Sequence, residues 1–155
     1  MSSVSRLEAD LELKTSAVKF LEIFALKVYE LSTFSPNIIQ NIDILSGEWG
    51  TPGFVILVNY TLVDGKAQVA KEVVESIDLI DLSITFKVVE GDLLEEYNSF
   101  KFILKVSPTI IGGGSVVHWT FEYEKPNEDT PNPNSLMEEV LQVSKDIDAF
   151  VANLI

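Results

Sequence analysis

The sequence predicts an α+β fold of seven β-strands with a long C-terminal helix packed against the sheet. Seven segments combine β-branched and aromatic residues with period-two alternation or short apolar runs between turn residues. A Pro- and Asn-rich loop at residues 126–134 ends the last of them, and an amphipathic stretch follows. Many strands carry apolar residues on both faces, more than covering one helix requires, so we expect an internal pocket.

The first strand is predicted at residues 7–13, where apolar and charged residues alternate. Thr15 or Ser16 then caps a helical region that extends to about Thr33. Apolar residues occupy nearly every helical angle of this region, so we expect one or two short, well-covered helices. Pro36 ends the region because proline disfavours a helical residue before it.

Six further strands and the final helix complete the predicted order. The strands are expected at residues 38–45, 54–63, 66–77, 82–90, 93–106 and 115–125. Asp64-Gly65 is typical of a tight hairpin turn. Ser135 and Glu138 form a capping-box pattern that starts the helix. The predicted buried face of this helix consists of Leu136, Val140, Val143, Ser144, Ile147, Phe150, Val151 and Leu154.

Composition limits the classes of function. The length of 155 residues fits a single domain over residues 1–155. Eleven basic against 24 acidic residues give a net charge of −13, which disfavours nucleic acids and anionic lipid surfaces as partners. There is no cysteine, no signal-peptide-like stretch at residues 1–6, and no apolar run near the roughly 20 residues that span a bilayer. We expect a soluble, cytoplasmic protein without a transmembrane segment.

The motifs of several enzyme classes are missing from the sequence. The glycine-rich loop at residues 47–53 lacks the Gly-Lys-Ser/Thr ending of a nucleotide-binding loop. One histidine and no cysteine offer no metal cluster, and the acidic pairs Glu95-Glu96 and Glu138-Glu139 are interpreted as solvated faces. No Gly-x-Ser-x-Gly segment is present. We expect no metal and no cofactor, so any catalysis would use enclosure, orientation and at most one proton transfer.

Five segments resemble the major latex protein-like branch of the birch pollen allergen and pathogenesis-related class ten (START-like) superfamily of plants. They are residues 41–50, 65–72, 86–97, 118–125 and 144–148. The resemblance implies a helix-grip fold, in which a curved seven-stranded antiparallel sheet wraps around the C-terminal helix, two short helices follow strand one, and a large hydrophobic cavity lies inside. It also implies ligands such as sterols, fatty acyl lipids, cytokinins and flavonoids, and catalysis in some relatives of alkaloid and monoterpenoid pathways.

The strand alternation and the resemblance together predict the cavity wall. Apolar residues at alternate positions of a strand share one face, and the resemblance makes these the concave faces of the sheet. For each residue the alternative is a filled core. The ligand-binding residues expected are Tyr29, Phe54, Ile56, Val58, Tyr60, Ile84, Phe86, Phe100, Phe102, Thr120, Met137, Val140, Leu141 and Ser144.

His118 and Lys71 are the predicted catalytic residues. His118 is the only histidine and titrates near neutral pH. Alternation with Val117 and Trp119 puts it on the face opposite the apolar one, whereas the resemblance aligns it near a pocket lysine of alkaloid-condensing relatives, so both facings stay open.

Lys71 interrupts an apparent apolar face formed by Ala67, Val69 and Val73. A lysine there could bind an anionic or carbonyl group or form an iminium. The alternative is that its stem covers apolar surface while the ammonium group reaches water.

Three functions follow. The leading expectation is a plant defence or specialised-metabolism protein that binds a hydrophobic small molecule: a terpenoid, sterol, lipid or phenolic. The first alternative is a cofactor-free cyclase or isomerase of a reactive terpenoid (iridoid-type) or alkaloid intermediate. The second is a ligand-dependent signalling partner, because the apolar hairpin tip from Leu79 to Leu82 indicates a protein partner or a weak homodimer contact. Tyr29-Glu30 and Val58 replace polar or bulky residues of relatives, which favours a small apolar ligand.

Overall fold

Seven strands form one antiparallel sheet in the computed structural model, which describes residues 3–152. The strands are β1 Val4–Leu13, β2 Ile39–Ser46, β3 Val55–Thr61, β4 Ala67–Asp78, β5 Ser83–Gly91, β6 Ser99–Pro108 and β7 Ser115–Glu124. Their spatial order is β1-β7-β6-β5-β4-β3-β2. The last strand therefore pairs with the first, and β2 forms the opposite edge. The predicted fold class is confirmed.

Short helices connect β1 to β2. Helix α1 spans Ala17–Leu26, a single 3₁₀ turn follows at Val28–Glu30, and α2 spans Leu31–Phe34. Ser16, one of the two expected caps, accepts a hydrogen bond from the backbone amide of Lys19. Helix α4 spans Asn134–Ala152. Most apolar residues of the region after β1 are buried, among them Phe20, Phe24 and Val28, whereas Val18 and Leu26, which were predicted to be covered, are exposed.

Residues 93–96 form one helical turn, α3 (Leu93–Glu96), and not the start of a strand as predicted. Gly91 has a φ of +125°, and a Cβ there would lie 2.2 Å from the carbonyl oxygen of Val69. The carboxylate of Asp92 accepts a hydrogen bond from the amide of Val69 at 2.7 Å. These contacts turn the chain back against β4, so β6 begins only at Ser99.

Helix α4 begins at Asn134, so Ser135 lies within its first turn, where the amide of Met137 donates to the carbonyl of Pro133. The buried face differs from the predicted one. Phe150 is exposed and packs beside Phe34, with ring centroids 4.8 Å apart. Leu154 lies outside the described residues. The buried residues are Met137, Glu139, Val143, Ser144, Ile147 and Val151.

Two aspartates of α4 bind the helix to the two ends of the segment that connects β1 to β2. Asp148 accepts hydrogen bonds from the amide of Lys14 (3.0 Å) and from the amide (2.9 Å) and hydroxyl (2.6 Å) of Thr15. Asp146 accepts a 2.7 Å hydrogen bond from the buried hydroxyl of Ser35. These bonds set α4 across the sheet.

Aromatic side chains fill one end of the space between sheet and helix. Their neighbouring ring centroids lie 5.0 to 5.8 Å apart. The hydroxyls of Tyr97 and Tyr123 donate to the carbonyl oxygen of Pro131 and the side chain of Asn132, each at 2.8 Å, which fixes the loop before α4. The cluster consists of Tyr97, Phe100, Phe102, Phe121 and Tyr123.

Candidate functional site

A cavity lies between the concave face of the sheet, the helices after β1 and helix α4. It offers about 100 Å³ of space to the centre of a water molecule, several times the roughly 10–15 Å³ that one water needs. Among the described residues that line it, three carry an ionisable group. The wall consists of Phe24, Val28, Leu31, Ile38, Ile39, Ile42, Ile56, Val58, Tyr60, Ala70, Glu72, Phe86, Phe102, Trp119, Leu136, Glu139, Val140 and Val143.

The alternation of side chains along the strands determines which strand residues can form the cavity wall. Residues 56, 58 and 60 of β3 point to the concave face, and antiparallel register sets Ile56 opposite Glu72 and Val58 opposite Ala70 on β4. Of the expected ligand-binding residues, the structure brings together Ile56, Val58, Tyr60, Phe86, Phe102 and Val140.

Three more expected residues lie on the concave face without lining the cavity. Phe54, Ile84 and Phe100 are each 1% exposed or less. Phe54 packs edge-on against Trp49 (centroids 5.5 Å apart), and Phe100 belongs to the aromatic cluster. They are filled core, the alternative weighed above.

The remaining expected residues lie elsewhere. Tyr29 is 42% exposed and packs on Trp49, with centroids 5.0 Å apart. Thr120 lies on the convex face, between Glu8 of β1 and Ile103 of β6 in the ladder. None of these side chains lines the cavity.

On α4, Met137 and Leu141 also lie off the cavity wall. Ser144 is fully buried, and its hydroxyl accepts from the indole NH of Trp119 and donates to the carbonyl of Val140, both at 2.9 Å. This hydroxyl therefore orients Trp119 instead of facing a ligand.

Lys71 lies on the convex face. The prediction put Lys71 with Val69 and Val73 on the concave face of β4, but the structure puts this set of residues on the convex face. Ala70, Glu72 and Val74 are buried on the concave side. The Lys71 ammonium lies 3.8 Å from the carboxylate of Glu90, and its side chain is 35% exposed. Its side chain does not line the cavity, although its neighbours Ala70 and Glu72 do.

His118 also lies on the convex face, as its strand alternation indicated. Its Nε2 is 2.9 Å from the carboxylate of Glu8, and its Nδ1 contacts the carboxylate of Asp10. The hydrogen bonds to Glu8 and Asp10 raise the pKa of His118. Its position suits an ion pair that ties β7 to β1.

We expect His118→Gln to lower the melting temperature more at pH 6 than at pH 8.5. A raised folded pKa makes the contribution of His118 complete below its unfolded pKa of about 6.5, and that contribution disappears as pH rises through the folded pKa. The effect should be small because the pair is solvated. Melting curves of both proteins across pH 5.5–8.5 check it, and an equal shift at every pH would contradict it.

Tyr60, Glu72 and Glu139 form the polar part of the cavity wall, and each is less than 9% exposed. Burial raises the pKa of Glu72 to about 8. Burial, followed by the charge of Asp64, raises the pKa of Glu139, against a hydrogen bond from the backbone of Val63. Burial and the charge of Glu72 raise the pKa of Tyr60. A neutral carboxylic acid at pH 7 therefore faces an apolar cavity.

Sequence reasoning missed both acids. Glu139 was expected in a solvated face but is 4% exposed. One signal in the sequence could have identified Glu72. It lies at alternate positions with Ala70 and Val74, two small apolar residues that suit a packed concave face. Within residues 3–152, no group of three or more His, Asp or Glu side chains is placed to hold a metal ion.

The hairpin tip between β4 and β5 is exposed. Leu79 and Ile80 are 67% and 98% accessible, and Leu82 has a φ of 55°. The partner expected at this tip stays a prediction. No helix within residues 3–152 combines the length and apolar character needed to cross a membrane.

Comparison with known proteins gives a consistent result. The sequence model of the Pathogenesis-related protein Bet v 1 family matches residues 2–153. MLP-like proteins 34 and 31 of Arabidopsis thaliana are 45% and 41% identical over 96% and 98% of the chain, covering 46% and 88% of their own lengths. The chain thus spans slightly less than half of MLP-like protein 34. The crystal structure of major latex-like protein 151 from Panax ginseng superposes with a TM-score of 0.89 at 37% identity, over 95% of this chain and 97% of that one.

Proposed function

The chain belongs to the Pathogenesis-related protein Bet v 1 family, and we propose that it binds a small hydrophobic plant metabolite in the cavity between sheet and helix α4. The observation that carries the proposal is the cavity wall, which is apolar except for Tyr60, Glu72 and Glu139. Such a wall binds mainly by removing apolar ligand surface from water, at roughly 25 cal/mol per Å². The few polar groups set the ligand's orientation.

The dimensions favour a compact ligand. A space of about 100 Å³ for water centres suits a terpenoid or simple phenolic better than a sterol or a long fatty acyl chain. The wall contains no Lys, Arg or His among residues 3–152, which disfavours an anionic ligand. We propose the cytoplasm as the place where such a metabolite is held.

Filling the cavity should weaken ligand binding. Ala70 is 1% exposed and lines the wall, so Ala70→Leu adds three carbon atoms to the space that the ligand needs. Overpacking costs about 1–3 kcal/mol, so affinity should fall roughly tenfold or more. Titration calorimetry with a monoterpenoid, a flavonoid, a fatty acid and a sterol measures it.

The matched control is Ala67→Leu, on an exposed position of the same strand. It should leave every affinity within about twofold, because surface changes of this kind cost less than about 0.5 kcal/mol. Equal weak binding of all four ligands, unaffected by Ala70→Leu, would refute a specific cavity ligand.

A second candidate function is a cofactor-free cyclase or isomerase of a reactive terpenoid or alkaloid intermediate. The polar groups of the cavity favour it, because a carrier gains no affinity from buried acids that a purely apolar ligand cannot satisfy. Turnover beyond one equivalent distinguishes it from a carrier. The exposed tip at Leu79 and Ile80 supports the third candidate, a ligand-dependent protein partner, and a pull-down with and without ligand tests it.

A further inference from the structure

We propose that Tyr60, Glu72 and Glu139 form an acid–base site that transfers protons on a carbonyl-bearing apolar ligand and so interconverts its keto and enol forms. The inference rests on the proposed function, since it uses the same cavity. It adds the chemical class of the ligand, an aldehyde or ketone with a hydrogen on its α-carbon, and it assigns a role to each polar residue of the wall.

Two polar atoms of the wall lack a partner. The hydroxyl of Tyr60 and the Oε1 of Glu139 are buried and make no hydrogen bond within residues 3–152. A buried polar atom left unpaired destabilises the folded protein, because it has given up its hydrogen bonds to water without replacing them. Both atoms belong to residues that line one cavity, so a single ligand can satisfy both.

The three groups approach the ligand from two walls. Tyr60 and Glu72 lie on the concave faces of β3 and β4, and Glu139 lies on the sheet-facing side of α4. After burial, the charges of Glu72 and Glu139 raise the pKa of Tyr60, together with those of Asp92 and Glu96, so both acids lie close enough to affect its ionisation. A ligand between β-sheet and α4 thus meets donors on one side and an acceptor on the other.

The protonation states give the roles. Burial raises the pKa of Glu72 to about 8, so at pH 7 it is mostly a neutral acid that donates a hydrogen bond, as the Tyr60 hydroxyl does. A neutral carboxylic acid and a phenol in an apolar site stabilise the oxyanion that develops when a carbonyl compound enolises. Burial, followed by the charge of Asp64, raises the pKa of Glu139, and the hydrogen bond from the backbone of Val63 opposes this rise. A raised pKa makes the Glu139 carboxylate a stronger base than an exposed glutamate, which suits the abstraction of a proton from carbon.

The proton transfer balances without a further reactant. Oε1 of Glu139 takes the α-proton, and the released C–H electron pair forms the C=C bond. The carbonyl π-electrons move to oxygen, which accepts a hydrogen bond from Tyr60 and the proton of Glu72. Glu139 ends protonated and Glu72 ionised, and return of one proton between them through water restores the site. The product is an enol, the nucleophile that cyclises a dicarbonyl compound.

Exchange of the α-hydrogens of citronellal for deuterium, followed by proton NMR in D₂O, tests the proposal. Citronellal is apolar and carries one carbonyl. The wild-type protein should accelerate exchange over buffer, and Glu72→Gln, Tyr60→Phe and Glu139→Gln should each reduce the acceleration roughly 100-fold, the usual scale of acid–base catalysis. The rate should fall as pH rises through about 8, where Glu72 loses its proton.

Matched controls separate this chemistry from binding. Glu75→Gln alters an exposed acid on the same strand and should leave the exchange rate unchanged. Citronellol and citronellic acid, which share the carbon skeleton, are titrated by calorimetry, and the acid should bind at least tenfold more weakly than the aldehyde. Circular dichroism confirms that each variant is folded.

Each outcome decides the proposal. Binding of citronellal without accelerated exchange overturns the acid–base site and leaves the binding function intact. Acceleration that survives all three wall substitutions assigns the chemistry to other groups and also overturns it. If citronellal does not bind, 3-phenylpropanal is the second probe, and failure of both to exchange refutes the site.

Discussion

Replacing Glu72 by glutamine is expected to stabilise the folded protein at pH 7 by on the order of 3 kcal/mol. The carboxyl group of Glu72 is buried in an apolar wall, which raises its pKa from 4.5 to about 8. At neutral pH this carboxyl group is protonated in the folded protein but ionised in the unfolded chain, so folding must include the free-energy cost of binding a proton. Glutamine has nearly the same shape and has no ionisation to suppress.

The sign of the pH dependence follows from proton counts. Between pH 4.5 and about 8 the folded protein holds a proton on Glu72 that the unfolded chain releases. The free energy of unfolding therefore falls as pH rises through this window, by at most about 1.4 kcal/mol per pH unit, and levels off above it. Below pH 4.5 both states are protonated and the acid costs nothing through ionisation.

Urea unfolding at pH 5, 6, 7 and 8.5 measures the effect in both proteins. The difference between Glu72→Gln and wild type should grow from pH 5 to pH 8.5. Glu75→Gln is the control, because Glu75 lies on the same strand, is exposed and pairs with Lys101 at 3.0 Å. It should show a small difference at every pH. Parallel stability curves for wild type and Glu72→Gln would mean that Glu72 is ionised in the folded state.

The order of elements could be predicted from the sequence because turn residues and alternation are local signals. The prediction for β4 was wrong in its facing, since both faces of this strand carry small apolar residues: Ala67, Val69 and Val73 on one, Ala70 and Val74 on the other. A one-residue change of facing exchanges every side chain between sheet faces. Because of this change of facing, the side chain of Glu72 lines the cavity and that of Lys71 lies on the convex face.

Which concave residues border empty space could not be predicted from alternation. Phe100 and Phe102 share a face, yet Phe100 is packed within the aromatic cluster and Phe102 lines the cavity. The difference depends on how the helices after β1, helix α4 and six strands fill a common volume, and no local sequence pattern contains this information. The alternation of residues in its own strand predicted the convex facing of His118, whereas the resemblance aligned it with a residue inside the pocket.

The largest loss of stability is expected for Phe121→Ala, at about 3–5 kcal/mol. Phe121 is fully buried, and its ring lies 5.3 Å from that of Phe100 and 5.0 Å from that of Phe102. Removing the Phe121 ring leaves a void beside the cavity, because its neighbour Phe102 lines the cavity wall. Urea unfolding of the variant and the wild type at pH 7 measures the loss.

Phe150→Ala is the matched control, since the Phe150 ring is 46% exposed and contacts Phe34 at 4.8 Å between centroids. It should cost about 1 kcal/mol, the value of one aromatic pair. If the aromatic cluster limits the cavity, Phe121→Ala should also bind bulkier ligands than wild type does, whereas Phe150→Ala should not. If Phe121→Ala loses stability but keeps the ligand preference of the wild type, the aromatic cluster does not limit ligand size. The limit would then lie on the α4 side of the wall, at residues such as Val140 and Val143.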